Sequence, residues 1–363
     1  MSRFRHRVVR CCAAAFATAA LLPQLADACT RIVYLGAVGG AGDAMRQQVI
    51  TARSMDWASD IKTNLWILPR GAKRNGETGQ NTMNWTSRYG SVIASTGDEA
   101  TTDGINEAGL VANVLWLAES IYPKFPDGDK LGMAISIWPQ YVLDNYATVA
   151  EAVTALAAEP FIVVTDKMPN ENRAATLHLS LSDASGDSAI IEYIDGRQVI
   201  HHSRKYQVMT NSPAFDQQLA LNAYWQQIGG LVMLPGTNRA ADRFVRASFY
   251  INAIAKPKTD DTAVASVFSV IRNASVPFGI LPPKDQPNIS STRWRSVADQ
   301  GRRLYFFESA LTPNVFWVDL KKIDFSPRDT DSKLDLGENE TNIFSGEVHN
   351  QFRKSPPIKF KGL

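Results

Sequence analysis

The first thirty residues constrain this chain most, because they follow the three-part pattern of a secretory signal peptide. Four arginines and no acidic residue precede a twelve-residue apolar run, residues 11–22. Small residues then occupy the two positions that an export peptidase reads, in the sequence Ala26-Asp27-Ala28. This order predicts cleavage after Ala28 and a periplasmic or secreted protein. The alternative is an amphipathic or core helix at the N-terminus.

Removal of residues 1–28 would change the cysteine count and the net charge of the chain. The full chain has 363 residues, three cysteines and a net charge of +2. The predicted mature chain has 335 residues, with 34 Lys and Arg against 35 Asp and Glu, and therefore a charge of −1. Such a balance excludes the basic footprint of a nucleic-acid-binding protein. No apolar run of 18 residues occurs in the sequence, so a membrane-spanning helix is not expected.

Cys29 becomes both the first residue and the only cysteine of the predicted mature chain. Its thiol is a nucleophile, and a free α-amino group, with an ordinary pKa of about 8, is a base near neutral pH. Before cleavage the nitrogen of Cys29 is an amide, so processing would switch this chemistry on. The pattern indicates amide hydrolysis through a thioester. In one alternative Cys29 anchors the lipid of a periplasmic lipoprotein binding module, although Ala26 stands where that signal prefers Leu. In the other, cleavage falls elsewhere and Cys29 is incidental.

The order of predicted elements favours an α+β fold with antiparallel sheets over a doubly wound parallel sheet. Runs of β-branched residues between turn residues predict strands over residues 30–36, 49–57, 63–68, 91–96, 304–308 and 315–320. A hairpin is predicted over residues 102–117, and several strands separated by turns are predicted over residues 177–200. Apolar periodicity and capping residues predict helices after residue 148 and over residues 214–227, 240–254 and 262–272. Residues 29–363 are expected to form one domain. Its polar tail, about residues 330–363, is expected to extend along the surface or a neighbouring subunit.

Several short motifs resemble those of the choloylglycine hydrolase family, which contains penicillin V acylases and conjugated bile salt hydrolases. They are Cys29-Thr-Arg31, Ala-Arg53-Ser-Met-Asp56-Trp57, Asp103-Gly-Ile-Asn106-Glu-Ala-Gly109-Leu110, Thr210-Asn211-Ser212-Pro213, Asp242-Arg243-Phe-Val-Arg246 and Thr292-Arg-Trp294-Arg-Ser-Val-Ala298-Asp299. The resemblance runs from Cys29 to about Asp319. It implies the N-terminal-nucleophile hydrolase fold, in which two stacked antiparallel sheets lie between helices in four αββα layers. It also implies a homo-oligomer, of which a tetramer is the expected form.

The resemblance assigns roles to three residues near the mature N-terminus. Cys29 would attack the amide carbon, and Asp56 would hydrogen-bond the α-amino group of Cys29. Arg53 would lie near the thiol, where a positive charge favours the thiolate. Regular strand alternation places Arg53 and Asp56 on opposite faces, so their meeting at one site would require a bulge or a bend. Asp56 could equally be an ordinary turn residue at the end of a strand.

Asn106, Asn211 and Arg243 complete the implied catalytic set. An amide NH₂ can donate to an oxyanion without adding a titrating charge, which makes both asparagines oxyanion candidates. From the residues alone, Asn106 could be a turn residue and Asn211 a loop cap. Periodicity does not choose among Arg239, Arg243 and Arg246. The resemblance chooses Arg243, as a stabiliser of charge on the substrate or transition state.

Trp57 and Trp116 are candidates for the walls of an acyl pocket, because aromatic walls suit a phenoxyacetyl, steroid or fatty acyl group. Ordinary core packing is the alternative for each. His201 and His202 point to opposite faces of a strand and so do not form a paired metal site. No nucleotide or phosphate motif occurs in the sequence, and neither a cofactor nor a metal is expected.

The spacing of 32 positions between Asn211 and Arg243 is short. Bile salt hydrolases of Gram-positive gut bacteria carry a longer insert there, which is used in tetramer assembly. Together with the export signal, the short spacing resembles the Gram-negative branch of the family, with penicillin V acylase and N-acyl-homoserine lactone acylase activity. The expected function is therefore hydrolysis of a linear amide in a small molecule by an exported cysteine N-terminal-nucleophile hydrolase. Bile salt hydrolysis is the alternative.

Overall fold

A computed structural model of the chain describes residues 29–39, 45–166, 173–229, 232–255, 257, 259–280 and 290–363. The predicted export segment, residues 1–28, lies outside the described residues. The described chain is built around two large β-sheets, and Cys29 is the first residue of a strand that lies second from the edge of one of them.

The first sheet has seven strands, and its neighbours are antiparallel except for the last pair. In spatial order they are β14 (Val208–Met209), β1 (Cys29–Gly39), β2 (Met45–Trp57), β15 (Ser291–Asp299), β16 (Leu304–Ser309), β17 (Val315–Asp319) and β19 (Gly346–Glu347). Strand β1 pairs with β2 over its whole length, with Cys29 opposite Met55. This register places the predicted nucleophile beside the end of β2.

The second sheet has nine antiparallel strands and takes up part of the C-terminal tail. In spatial order they are β13 (Arg197–His202), β12 (Ser188–Ile194), β11 (Leu177–Ser182), β8 (Val111–Trp116), β7 (Ala100–Asn106), β6 (Ser91–Thr96), β3 (Asn64–Leu68), β18 (Asp331–Leu334) and β20 (Arg353–Ser355). The tail is therefore not merely extended, because two of its short strands continue the sheet at the free edge of β3.

The described residues also form two small sheets and five α-helices. The small sheets are β4 (Lys73–Asn75) with β5 (Asn84–Thr86), and β9 (Gly132–Ala134) with β10 (Ile162–Val164). The helices are α1 (Trp138–Asn145), α2 (Val149–Leu156), α3 (Phe215–Ile228), α4 (Ala240–Ala253) and α5 (Asp260–Asn273). Helices α4 and α5 pack on the seven-stranded sheet, α1 and α2 pack on the nine-stranded sheet, and α3 packs on α4. The predicted four-layer αββα fold is confirmed.

Threonine caps define where two of these helices begin. The Oγ1 of Thr148 accepts a hydrogen bond from the backbone nitrogen of Glu151, at 3.2 Å, as its capping sequence predicts. Thr259 caps α5 in the same way, accepting from the nitrogen of Thr262 at 3.2 Å. Helix α5 therefore begins at Asp260, two residues earlier than predicted.

Side-chain alternation along β1 determines what faces the space between the sheets. Arg31 is buried and donates to the carbonyl oxygen of Leu181, at 2.8 Å, and to Ser188 Oγ, at 3.0 Å, in the nine-stranded sheet. Thr30 points the other way and donates to the carbonyl oxygen of Ala274, just after α5. Since successive residues of a strand alternate, the side chain of Cys29 lies on the same face as Arg31, toward the second sheet.

Candidate active site

A largely apolar cavity of about 120 Å³ contains Cys29 in its wall. Residues of both large sheets line it, so it lies where the ends of the two sheets face each other. Its apolar walls include Met55, Trp57, Ile61, Val114, Leu115, Trp116, Ile135 and Leu177. Cys29 is 2% exposed. A cavity with so few polar groups is typical of a site for an apolar substrate moiety.

The backbone of Cys29 is held at both its nitrogen and its oxygen. The nitrogen donates to Asn211 Oδ1 at 2.6 Å, and the carbonyl oxygen accepts from Arg243 Nη1 at 2.6 Å. Arg243 Nη2 also donates to Asn211 Oδ1, at 2.8 Å, and its Nη1 donates to Thr30 Oγ1. These four buried residues form a closed network that fixes the orientation of the predicted nucleophile.

Helix α4 directs Arg243, and not Arg246, toward Cys29. Arg246 donates to the carbonyl oxygens of Pro235, at 2.9 Å, and Thr237, at 2.7 Å, in the segment before the helix. The structure thus identifies Arg243 as the arginine of α4 that contacts Cys29, which helical periodicity did not determine. Arg243 contacts the backbone carbonyl oxygen of Cys29 and does not line the cavity. This placement fits a residue that positions Cys29 better than one that contacts a substrate.

Asn211 is held in turn by three other elements. Its Nδ2 donates to the carbonyl oxygen of Trp116 at 2.8 Å, and its own carbonyl oxygen accepts from Gln218 Nε2 at 3.0 Å. The preceding carbonyl oxygen, of Thr210, lies 2.8 Å from His178 Nε2. The Asn211 side chain is therefore fixed on both its oxygen and its nitrogen.

A buried His178–Glu192 pair supports this arrangement, and sequence reasoning missed it. His178 Nδ1 lies 3.0 Å from Glu192 Oε1, and both side chains are almost completely buried. Burial alone would raise the pKa of Glu192, but hydrogen bonds from His178 and His201 outweigh it and lower that pKa to about 2. Glu192 is therefore a carboxylate at neutral pH and orients His178 toward Thr210.

Arg53 lies beside the thiol on the inner face of β2. Its Nη2 is 3.8 Å from Cys29 Sγ and donates to the carbonyl oxygen of Val114 at 3.0 Å. The guanidinium also lies over the ring of Trp294, 4.9 Å from its centroid. Burial raises the pKa of the Cys29 thiol, and the charge of Arg53 opposes that increase. Arg53 is thus placed to favour the thiolate.

Asp56 lies on the opposite face of β2, and the strand remains regular between it and Arg53. The bulge occurs instead in the neighbouring β15, between Thr292 and Trp294. The hydroxyl of Thr292 donates to the Asp56 carboxylate, and Ser54 Oγ lies 3.4 Å from it. Complete burial raises the pKa of Asp56 to about 6, against the opposing charge of Arg243.

Cys29, at the end of its strand, lies between Arg53 on one face of the sheet and Asp56 on the other. The backbone oxygen of Asp56 is 3.9 Å from Cys29 Sγ. In this chain, where the nitrogen of Cys29 is an amide, its hydrogen-bond partner is Asn211 Oδ1 and not the Asp56 carboxylate. A bond from Asp56 to a free α-amino group stays a prediction.

Asn106 is not brought to Cys29, and this corrects its assignment as an oxyanion donor. Its Nδ2 donates to the carbonyl oxygens of Leu143, at 2.9 Å, and Tyr146, at 2.8 Å. Its Oδ1 accepts from the nitrogens of Ala108, at 3.1 Å, and Leu110, at 3.0 Å. All four bonds stabilise the turn between β7 and β8 and its contact with α1, so Asn106 has the turn role that the sequence also allowed.

Trp57 and Trp116 both line the cavity, as the acyl-pocket interpretation expects. Their ring centroids are 6.1 Å apart, in an edge-to-face arrangement with an interplanar angle of 60°. The guanidinium of Arg173 lies 4.1 Å from the ring centroid of Trp116 and 5.4 Å from that of Trp57. Together these side chains form an aromatic wall close to the thiol.

Two further properties concern only the part of the chain that the structure describes. Within it, no three His, Cys, Asp or Glu side chains are grouped so that they could hold a metal ion. None of its helices is long and apolar enough to cross a membrane.

Comparison with known proteins places this site in a family. Residues 41–339 match the model of the linear amide C–N hydrolases, choloylglycine hydrolase family. The chain belongs to the choloylglycine hydrolase family. It is 57% identical to a penicillin V acylase of Pectobacterium atrosepticum over 97% of both chains. A solved structure of penicillin V acylase from Agrobacterium tumefaciens matches with a TM-score of 0.83 at 63% identity, covering 92% of this chain and 100% of that one.

More distant members of the choloylglycine hydrolase family act on bile salts. A bile salt hydrolase/transferase of Clostridium perfringens is 24% identical to this chain, and the match covers 74% of this chain and 88% of that protein. A crystal structure of a variant conjugated bile acid hydrolase from that species matches with a TM-score of 0.70 at 21% identity, over 85% of this chain and 97% of that one, which shows a shared fold. Family membership makes this chain a hydrolase of linear amide C–N bonds.

Proposed function

We propose that this hydrolase is an exported acylase of the penicillin V acylase and N-acyl-homoserine lactone acylase type, with Cys29 as an N-terminal nucleophile. The observation that carries the proposal is the position of Cys29. Its thiol lies in the wall of an apolar cavity while Asn211 and Arg243 hold its backbone. A nucleophile needs both substrate access and a fixed orientation, and these contacts supply them.

Removal of residues 1–28 would convert the amide nitrogen of Cys29 to an α-amino group. In the proposed reaction the sulfur attacks the carbonyl carbon of the substrate amide, and the thiol proton passes to the α-amino nitrogen. That proton then moves to the leaving amine as the C–N bond breaks, which leaves a thioester. Water next hydrolyses the thioester, so that the carboxylic acid is released and the thiol is regenerated.

The residues around Cys29 would have different roles in this reaction. Arg53 favours the thiolate, because it places a positive charge 3.8 Å from Cys29 Sγ. Asn211 orients the nitrogen through its Oδ1, and the Nδ2 hydrogen that it does not donate to Trp116 is the candidate donor to the oxyanion. Asp56, buried on the other face of β2, would stabilise the ammonium form of the α-amino group.

The cavity supports an apolar acyl group as the part of the substrate that enters it. Trp57 and Trp116 offer flat aromatic surfaces beside the thiol, suited to a phenoxyacetyl or fatty acyl group. The similarity to two penicillin V acylases, at 57% and 63% identity over nearly the whole chain, supports the same acyl preference.

The position of the thiol also bears on the lipoprotein alternative. Cys29 is 2% exposed and faces the cavity, so a diacylglyceryl group on its sulfur would have to occupy the cavity. A lipid anchor needs instead to leave the protein surface and enter a membrane. Burial of the thiol therefore favours the nucleophile.

The first experiment tests processing. The intact mass of the exported protein is expected to correspond to a chain that begins at unmodified Cys29. Ala28→Leu should block cleavage, because the peptidase site requires a small residue there, and should leave an inactive full-length chain. A chain expressed to begin at Cys29 should be active without export. An added lipid mass on Cys29, or full activity of uncleaved Ala28→Leu, would overturn the proposal.

The second experiment tests the nucleophile and the substrate class. Release of amine is measured from penicillin V, a long-chain N-acyl-homoserine lactone and glycocholate. The first two are expected to be the better substrates, whereas preferential hydrolysis of glycocholate would make bile salt hydrolysis the function. Cys29→Ser should keep the circular dichroism spectrum of the folded protein and lose nearly all turnover. A folded Cys29→Ser protein with unchanged turnover would refute the mechanism.

A further inference from the structure

The C-terminal segment 358–363 runs along the mouth of the Cys29 cavity. Ile358 and Phe360 anchor it, since both are buried in the apolar cluster that includes α1 and α2. Beyond them the backbone nitrogen of Lys361 donates to the carbonyl oxygen of Glu99 at 2.8 Å, and the nitrogen of Leu363 donates to the carbonyl oxygen of Glu77 at 3.1 Å. The segment is therefore fixed on both sides of Lys361.

Alternation along this extended segment sends two side chains to the cavity. Lys361 and Leu363 line it, whereas Phe360 packs into the apolar cluster on the other side. Ser136 Oγ, from another part of the cavity lining, donates to the carbonyl oxygen of Lys361 at 2.6 Å. The Nζ of Lys361 lies 3.0 Å from Asp166 Oδ2, which also belongs to the lining. The segment is thus bonded directly to the walls of the cavity.

Leu363 is apolar, lines the cavity and yet is 55% exposed. Cys29 is 2% exposed in the same cavity, so the lining passes from a buried end at the thiol to an exposed end at Leu363. An exposed leucine at an apolar mouth gains free energy when a ligand covers it, because apolar surface is removed from water. A short acyl group bound at Cys29 would stay near Trp57 and Trp116, whereas a longer one would extend to this exposed end.

We propose that Leu363, held by the bonded segment that contains Lys361, forms an outer subsite that recognises the distal part of long apolar acyl groups. This inference rests on the proposed function and adds to it a determinant of acyl-chain length. The subsite contributes to binding of the substrate but does not touch the reacting atoms. Its effect should consequently depend on acyl length and not on the leaving amine.

The test uses processed enzyme and N-acyl-homoserine lactones with hexanoyl, decanoyl and tetradecanoyl chains. Leu363→Ala is expected to lower kcat/KM for the tetradecanoyl substrate about three- to tenfold while hydrolysis of the hexanoyl substrate stays unchanged. Leu363→Met, which conserves volume, should retain most of the preference. Leu311→Ala is the matched control, because Leu311 is also an exposed leucine, at 42%, and lies outside the cavity lining.

An equal loss on all three chain lengths, or no loss on any of them, would overturn the subsite. Both results are distinct from failure of the proposed function, in which the wild-type enzyme hydrolyses none of these amides or does so without Cys29. A loss that Leu311→Ala reproduces would indicate a general effect on stability and would equally overturn the subsite.

Discussion

Replacement of Asp56 by Asn in the full-length chain should make the protein more stable at neutral pH. The Asp56 carboxyl is completely buried, and its pKa is raised from an ordinary 3.8 to about 6. Arg243 and the hydroxyl of Thr292 oppose this increase without cancelling it. The native protein therefore holds a carboxylate at pH 7 that would be more stable in water.

The size of the effect follows from this difference in pKa. About two units, at about 1.4 kcal/mol each, amount to about 3 kcal/mol. Between about pH 4 and pH 6 the native state binds more protons than the unfolded state, so wild-type stability falls as the pH rises through this window. The amide of the Asp56→Asn variant has no proton to lose in this range. The variant should thus exceed the wild type by up to about 3 kcal/mol at pH 7, and this advantage should vanish below about pH 4.

Urea denaturation of both proteins at pH 7 and pH 4 measures this difference. Glu192→Gln is a control of opposite sign, because the pKa of Glu192 is lowered to about 2 and its charge stabilises the native state above the ordinary carboxyl range. That variant should lose stability at pH 7. If Asp56→Asn is no more stable than the wild type at pH 7, or gains equally at pH 4, burial of the carboxylate is not the dominant effect.

The same substitution tests the predicted contact between Asp56 and the α-amino group. In a chain that begins at Cys29, an ammonium near Asp56 would favour the carboxylate and reduce its cost of burial. The stability gained by Asp56→Asn should therefore be smaller in that chain than in the full-length one. Amide hydrolysis should fall by about 100-fold or more, since the amino group loses its partner. Equal stability gains in both chains would show that the two groups do not interact.

Arg53→Gln should slow alkylation of the Cys29 thiol at neutral pH, because the guanidinium charge lowers the pKa of that thiol. Arg46→Gln, at an exposed arginine, serves as its control, and equal rates in the two variants would contradict the assignment. Asn211→Ala should reduce kcat by about 100-fold or more with little change in fold, measured as amine release. Asn106→Ala should instead lower the free energy of unfolding by about 2 kcal/mol and leave kcat nearly unchanged, and the reverse pattern would restore Asn106 as an oxyanion donor.

The amphipathic helix α4 was predictable from the sequence, and the evenly buried helix α1 was not. Helix α4 begins and ends within one residue of its predicted bounds, because it presents an apolar face and a polar face. Helix α1 was missed because every residue from Trp138 to Asp144 is buried, which removes the contrast between faces. Strands β18 and β20 are four and three residues long and carry no strong pattern, so they form only because β18 pairs with the edge of β3 and β20 pairs with β18.

Motif resemblance selected most of the site, and long-range contacts determined how its members meet. The structure brings Arg53, Asp56, Asn211 and Arg243 around Cys29. It excludes Asn106, whose amide is used in its own turn. Both asparagines lie near the end of a strand and within a family motif, so short-range sequence could not separate their roles.

The contacts of the His178–Glu192 pair and of Leu363 could not be predicted from local sequence patterns. His178 meets Glu192 across neighbouring strands and reaches Thr210, 32 positions away, only through the fold. Leu363 reaches the Cys29 cavity because Ile358 and Phe360 are buried beside it. His178, Glu192 and Leu363 lie outside the motifs, and none of the three has a sequence signature of its own.

The sequence by itself determined the kind of chemistry to expect. The signal-like segment that ends before Cys29 can be recognised from adjacent residues alone. The fold class can be recognised from local periodicity and from the order of the motifs. Tertiary structure alone decided which arginine of α4 contacts Cys29, which asparagine holds it and which residues line the cavity beside it. The physical reason is that hydrogen-bond geometry and burial depend on distances between segments far apart in the chain, which no local pattern encodes.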